Sequence, residues 1–370
     1  MPNNRMYFLD NLRALVVLLV VVLHTSMTYM AYAPTWWYVL DSQNSIFFTM
    51  LVLIIDVPLM PIMFFIAGYF SFPTLQKKGG GVFLKDKLIR IGIPWVFGAL
   101  FLAPPTAYMI YYSRHVPMSF FKFWATDFWG DLYQQSVYWF LGVLLLMFLI
   151  LTIAFLRSGW FRALKQKVSL PSWKSFSVFL TLMTCGFFLM YLFFSIDQWS
   201  HIYLFVFQPL RVPLYFGYFF LGVYAYLHAW FTPDGYKPRL AIWAGMFILF
   251  GIIYLSYKLS IASDPQATIL IKIGTAVLFN LFCLSSLMAG IAFFQRYVNY
   301  KGRIWKSLSA NSYGIYYVHT LILYPFAYIF LDVSLPLFLK SSIVMLVAAL
   351  MSWGISAMLL KKIPGLRAMF

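Results

Sequence analysis

Three ionisable side chains, His24, Asp56 and His319, fall inside long apolar stretches, where such groups are costly and mark functional sites by default. His24 follows Arg13 by eleven residues, about 16 Å of helical rise. With Arg13 at a membrane face, the imidazole comes near the bilayer midplane. A neutral imidazole there can serve as general base or as nucleophile; the plain alternative is a histidine satisfied by a neighbouring helix carbonyl. Asp56 stands ten residues into the next apolar stretch, which returns from the opposite face, so roughly 15 Å of rise gives it a similar depth. An Asp–His pair would orient the ring and stabilise an imidazolium during proton transfer. Alternatively, Asp56 lines a wet outer vestibule or caps a helix break before Pro58 and Pro61. His319, closing Tyr313-Gly-Ile-Tyr316-Tyr-Val-His319, is expected to bond substrate, to hold the first site in place, or to be satisfied within the bundle.

The elements that must position these groups are membrane helices. Of the 370 residues, 63% are hydrophobic and 10% charged, against about half and a quarter in soluble domains. That excludes an ordinary soluble domain, and disorder still more firmly. About ten runs are long enough to span a bilayer: Leu12 to Ala33, Ile46 to Phe70, Ile91 to Tyr112, Val137 to Leu156, Phe176 to Ile196, Val212 to Trp230, Leu240 to Tyr257, Ile273 to Phe294, Tyr313 to Leu331 and Ser341 to Leu360. None alternates polar and apolar residues as barrel strands do. The expected fold is therefore an all-α polytopic bundle, a single domain over residues 1–370. Cys185 and Cys283 give neither a disulfide framework nor metal-ligand spacing.

The net charge of +17 is strung between the apolar runs rather than gathered into a nucleic-acid-binding domain. The N-terminus and every second connection, down to Lys361, Lys362 and Arg367, hold all but six of the 27 lysines and arginines. The six on the other side are Arg114, Lys122, Arg211, Lys258, Lys272 and Lys340. The positive-inside rule then places both termini in the cytoplasm. The longest outer stretch, Ser113 to Ser136 with Trp124, Asp127, Trp129 and Asp131, is expected to be an interfacial helix or a re-entrant piece. Positive-inside bias accounts for most cytosolic cations. Lys87 and Arg90, three apart and so on one helix face, are sharper candidates for phosphate binding. Trp139 alone reads as an interfacial aromatic, and Arg211, between Pro209 and Pro213, as an anchor for the sixth span.

Taken together, Arg5-Met-Tyr-Phe-Leu-Asp10-Asn-Leu-Arg13 followed after ten residues by His24, Phe64-Phe-Ile-Ala-Gly68-Tyr-Phe70, Lys87-Leu-Ile-Arg90-Ile-Gly-Ile-Pro94, Tyr138-Trp139-Phe-Leu141 and Asn311-Ser-Tyr-Gly-Ile-Tyr316-Tyr-Val-His319 resemble the motifs of acyltransferase family 3. These are bacterial multi-spanning enzymes that O-acylate extracytoplasmic glycans, and the resemblance runs over nearly the whole chain. Departures are Ala67 for the more usual Ser, Lys87 for the first Arg of Arg-x-x-Arg, Pro58-Leu-Met-Pro61 without a preceding Arg, and Val137 where a His often stands.

The resemblance implies transfer of an acetyl, succinyl or similar group from acyl-CoA, bound as co-substrate on the cytosolic side with no resident cofactor, to a glycan or glycolipid on the outer side of the bacterial inner membrane. It implies that Arg13, Lys87 and Arg90 hold the nucleotide end of CoA and that His24 is the base or the nucleophile. Trp139, Tyr316 and His319 become substrate contacts, and Asp56 an orienter of His24. The rival reading is a secondary transporter or flippase with a midplane His/Asp site.

Overall fold

The computed structural model describes residues 5–130, 132–261, 268–363, 366 and 369, so Asp131 and Arg367 lie outside the described residues. Among these, nine helical stretches are long and apolar enough to cross a membrane, and the only sheet is a two-stranded hairpin, β1 (Ser200–Ile202) with β2 (Phe205–Phe207). The fold is an all-α polytopic membrane bundle. The tenth expected span lies in α13 (Arg303–Ile329), which is long enough but more polar. It begins ten residues before the apolar run, and its buried face includes Asn311, Ser312, His319 and Thr320. Such a helix belongs inside a bundle rather than against lipid, and α13 packs on α1 (Tyr7–Thr28) and α14 (Leu337–Ile355).

Prolines explain several side chains. α2 (Ile46–Lys78) runs unbroken through Pro58, Pro61 and Pro73, so the helix break considered before Pro58 is not formed. A proline removes one backbone donor and frees the carbonyl four residues before it; in a membrane helix a neighbour must satisfy that oxygen. Pro61 frees Val57 O, and Cys283 of α12 (Ile269–Tyr297) donates its Sγ–H to it at 3.8 Å. Pro94 frees Arg90 O, and Tyr313 of α13 donates its hydroxyl to it at 2.9 Å. That second case lies in a helical stretch made of α3 (Gly80–Lys87), a π turn over Leu88–Gly92, α4 (Ile93–Phe97), a second π turn over Gly98–Leu102, and α5 (Ala103–Tyr112). The stretch 113–136, expected on the outer side, holds among its described residues one short helix, α6 (Phe120–Ala125), and a 3₁₀ turn.

The tightest helix crossing is between α2 and α10 (Val212–Leu227). A Cβ on Gly68 would lie 1.9 Å from Phe219 O, and one on Gly222 would lie 2.1 Å from Phe65 O. Backbone faces backbone there, as at small-residue membrane crossings. Gly222→Leu is expected to cost at least about 3 kcal/mol, the upper range for overpacking, because no side chain can move aside. Thermal denaturation in detergent would check this, and a wild-type melting temperature would contradict it.

Two of the six cations assigned to the outer side have structural roles. Arg114 donates to the carbonyls of Ile110, Thr35 and Trp37 at 2.7–2.9 Å, tying the α1–α2 connection to the end of α5. Lys340 is fully buried, paired with Asp41 at 2.7 Å and donating to Leu331 O at 3.0 Å.

Candidate active site

α1 and α13 run side by side and bring His24 and His319 together. The nitrogens His24 Nδ1 and His319 Nε2 are 2.8 Å apart, and the rings are nearly coplanar, 3° between planes with centroids 5.1 Å apart. His319 Nδ1 lies 2.7 Å from Tyr316 O. That contact sets the tautomers. A carbonyl only accepts, so His319 Nδ1 carries the hydrogen; in the neutral ring Nε2 is then the acceptor. His24 Nδ1–H must donate to it, which leaves the lone pair of His24 on Nε2. Among the described residues the hydrogen bond of the His24 ring is the one its Nδ1 makes to His319. A base oriented by a second group that is itself anchored is the arrangement used for proton abstraction and nucleophilic attack.

His24 lies on a cavity of about 620 Å³. Its walls include Tyr32, Pro34 and Trp36 of the α1–α2 connection, Asp197 and Trp199 before α10, and Leu259 and Ile261 at the end of α11 (Leu240–Ser260). Its deeper residues include Val20 and Met60. The cavity is thus bordered by connections at the face where α1 ends. His24 stands four residues before Thr28, about 6 Å from that helix end. The expected midplane position is shifted toward this face, because α1 continues six residues before Arg13 and ends soon after His24.

Asp56 lines the same cavity, but its partner is not His24. Arg211 grips it bidentately, Nη1 donating to Oδ1 at 3.0 Å and Nη2 to Oδ2. The orienter of His24 is His319, and the expected Asp56–His24 pair gives way to an Asp56–Arg211 ion pair. The reason is chemical: a planar guanidinium matches both carboxylate oxygens, whereas the His24 donor is already taken. Arg211, expected only to anchor a helix, lines the cavity and holds Asp56 there. Its position on the cation-poor side was the available signal. Trp139 lines the cavity with its ring centroid 5.4 Å from those of Trp199 and Tyr215. Tyr316 lines it too, but its hydroxyl is bonded to Val137 O, and its carbonyl anchors His319. Trp37 is buried with its ring 5.6 Å from that of His24; nothing in its sequence context marked it.

The cations expected to hold CoA do not line this cavity. Arg13 reaches Asp10 at 3.3 Å, and its Nε is buried with no partner among the described residues. Asp10 also bonds Arg5 at 2.8 Å and raises its pKa above the ordinary arginine value, first through that hydrogen bond. The Lys87 ammonium lies 4.2 Å from the Phe148 ring centroid and 5.1 Å from that of Phe83, while Arg90 is exposed. Between Arg13 and the cavity residue Val20, α1 contributes the buried Val16 and Val17.

Fold and site together define a polytopic membrane protein with a hydrogen-bonded histidine pair beside a cavity. Residues 6–359 match the acyltransferase domain family, and the chain belongs to that family. It is similar to the glucans biosynthesis protein C of Escherichia coli (strain K12), of Escherichia coli O6:K15:H31 (strain 536 / UPEC) and of Shigella dysenteriae serotype 1 (strain Sd197), 29% identical over 148 residues in each case. Those matches cover 40% of this chain and 38% of each relative, so the similarity spans well under half the length of these curated relatives. No solved structure matches the chain.

Proposed function

We propose that the chain moves an acyl group from cytosolic acyl-CoA to a hydroxyl of an extracytoplasmic glycan or glycolipid, with both termini cytoplasmic and the cavity open to the outer side of the bacterial inner membrane. The observation that carries this reading is the chain Tyr316 C=O, His319, His24, which leaves His24 Nε2 as a bare base in that cavity. The relatives' name, glucans biosynthesis protein C, supports a glucan-like acceptor. So does an outer wall lined by Tyr32, Trp36, Trp139 and Trp199, rings suited to the apolar faces of sugars.

In the direct route His24 Nε2 takes the proton of the acceptor hydroxyl as its oxygen attacks the thioester carbonyl. The tetrahedral intermediate collapses, the C–S bond breaks, and the thiolate recovers the proton from the imidazolium. In the covalent route Nε2 itself attacks the thioester, the C–S bond breaks and CoA leaves as the thiolate; the hydroxyl then attacks the acyl-imidazolium, the N–acyl bond breaks, and the hydroxyl proton passes to the thiolate. Both routes place positive charge on His24, and both gain from its Nδ1–H bond to His319. His319→Ala is expected to slow transfer by roughly ten- to a hundredfold, the scale seen when a group orienting a functional histidine is removed. Transfer at the wild-type rate would show that the pair is only structural.

The donor is assigned to Arg13, Lys87 and Arg90 on the opposite face, long cations suited to phosphate oxygens. In detergent, free CoA and acetyl-, succinyl- and long-chain acyl-CoA are expected to raise the melting temperature. A folded-state ligand at a hundred times its dissociation constant adds about 2.7 kcal/mol. Arg90→Ala should diminish the shift. A well-folded sample unmoved by all four would favour the transporter reading instead.

A further inference from the structure

The positive-inside rule leaves few cations for the outer face, so each one there needs a physical reason. Of the six, Arg114 ties down loop carbonyls, Lys340 is buried against Asp41, and Lys122 is exposed on α6. The remaining three converge. Arg211 and Lys258 line the cavity, and the Lys272 ammonium lies 5.3 Å from the ring centroid of Tyr191, itself a cavity residue. Two acids share this wall. Asp56 is taken by Arg211. Asp197 and Lys258 also line the cavity, where the Asp197 carboxylate favours the charge on Lys258. The wall therefore holds the neutral Asp56–Arg211 pair, Asp197 and Lys258, with the Lys272 ammonium against the wall residue Tyr191 as the cation in excess.

Helix electrostatics do not account for this set. Lys258 closes α11, where the carbonyl end of a helix favours a cation, but Lys272 stands in the first turn of α12, where the dipole opposes one. A cation held against the dipole beside a half-enclosed cavity is well placed to meet an anion. Low-dielectric walls strengthen the attraction.

We propose that Lys258 and Lys272, beside the Asp56–Arg211 pair, form an oxyanion subsite, which takes a carboxylate or a phosphate carried by the substrate that enters this cavity. The subsite rests on the reading of the cavity as the outer substrate vestibule, and not on the chemistry at His24. Two sources present the same oxyanion: a carboxylate on the transferred acyl group, or an acidic substituent on the acceptor.

Binding is measured on the detergent-purified full chain by tryptophan fluorescence and thermal stability, with inorganic phosphate, succinate and acetate as probes and chloride balancing ionic strength. Phosphate or succinate is expected to bind in the wild type and equally in His24→Ala. Lys258→Gln should raise its dissociation constant at least tenfold, and Lys272→Gln several-fold. Should Lys258→Gln fail to fold, Lys272→Gln carries the test alone. Anions that bind no better than chloride, or that bind both lysine variants as they bind the wild type, would overturn the subsite. Transfer of labelled acyl groups to envelope material then separates the sources. Lys258→Gln slows succinyl but not acetyl transfer if the anion is on the acyl group, and slows both alike if it is on the acceptor. Loss of transfer in His24→Ala with anion binding intact keeps the two readings distinct.

Discussion

His24→Ala is expected to reduce acyl transfer at least about a thousandfold while the protein still folds. Base catalysis by a positioned side chain contributes typically 10²–10⁴-fold, and a lost nucleophile removes the covalent route entirely. The bundle should survive, because the variant forfeits one hydrogen bond and leaves His319 Nε2 unpaired, a cost of about 1–3 kcal/mol. Label transfer from acyl-CoA, read beside the thermal melt of the same preparation, gives the answer. Undiminished transfer in a folded variant would remove His24 from the mechanism. Incubating wild-type protein with labelled donor and no acceptor separates the two routes: label retained on the protein and lost in the variant marks the acyl-imidazole, and its absence marks direct attack.

The second large effect concerns stability. Asp41 and Lys340 are almost wholly sealed from solvent, at 0% and 1% side-chain exposure, with 2.7 Å between carboxylate and ammonium. Removing one partner of a buried pair strands the other charge and typically costs 3–5 kcal/mol. Lys340→Met should therefore destabilise the protein by about that amount. Replacing both, as Asp41→Asn with Lys340→Met, should recover part of the loss. The pair also links the α1–α2 connection, whose Tyr32, Pro34 and Trp36 border the cavity, to α14. The single variant is thus expected to weaken substrate use through the cavity rim. Chemical denaturation of the four proteins of this cycle tests the point, and a Lys340→Met variant within about 1 kcal/mol of wild type would contradict it.

Much of this was legible in the residues. Spans follow from apolar length, a signal set by bilayer thickness rather than by packing. His24 and His319 stood out because polar groups are costly in such runs. Their pairing did not, since 295 residues separate them and sequence does not say which helix faces meet. Asp56 was drawn to His24 by proximity in the chain, whereas the fold brings it the stronger partner, Arg211. α13 starts well before its apolar run because polar residues on a bundle-facing side need no lipid match. The roles of Tyr313 and Cys283 became readable only once each hydroxyl or thiol met a carbonyl freed by a proline on another helix.

If the proposed transfer runs across a coupling membrane, the protein must also remain an insulator. An aqueous path joining the two faces would leak protons and discharge the gradient that the cell lives on. Val16 and Val17 lie buried on α1 between Arg13 and the base of the cavity at Val20. On the proposed reading, that buried apolar segment would act as the dielectric barrier, keeping an outer vestibule from short-circuiting the membrane. Cells expressing Val16→Gly/Val17→Gly protein would be expected to lose membrane potential even with His24 and His319 intact.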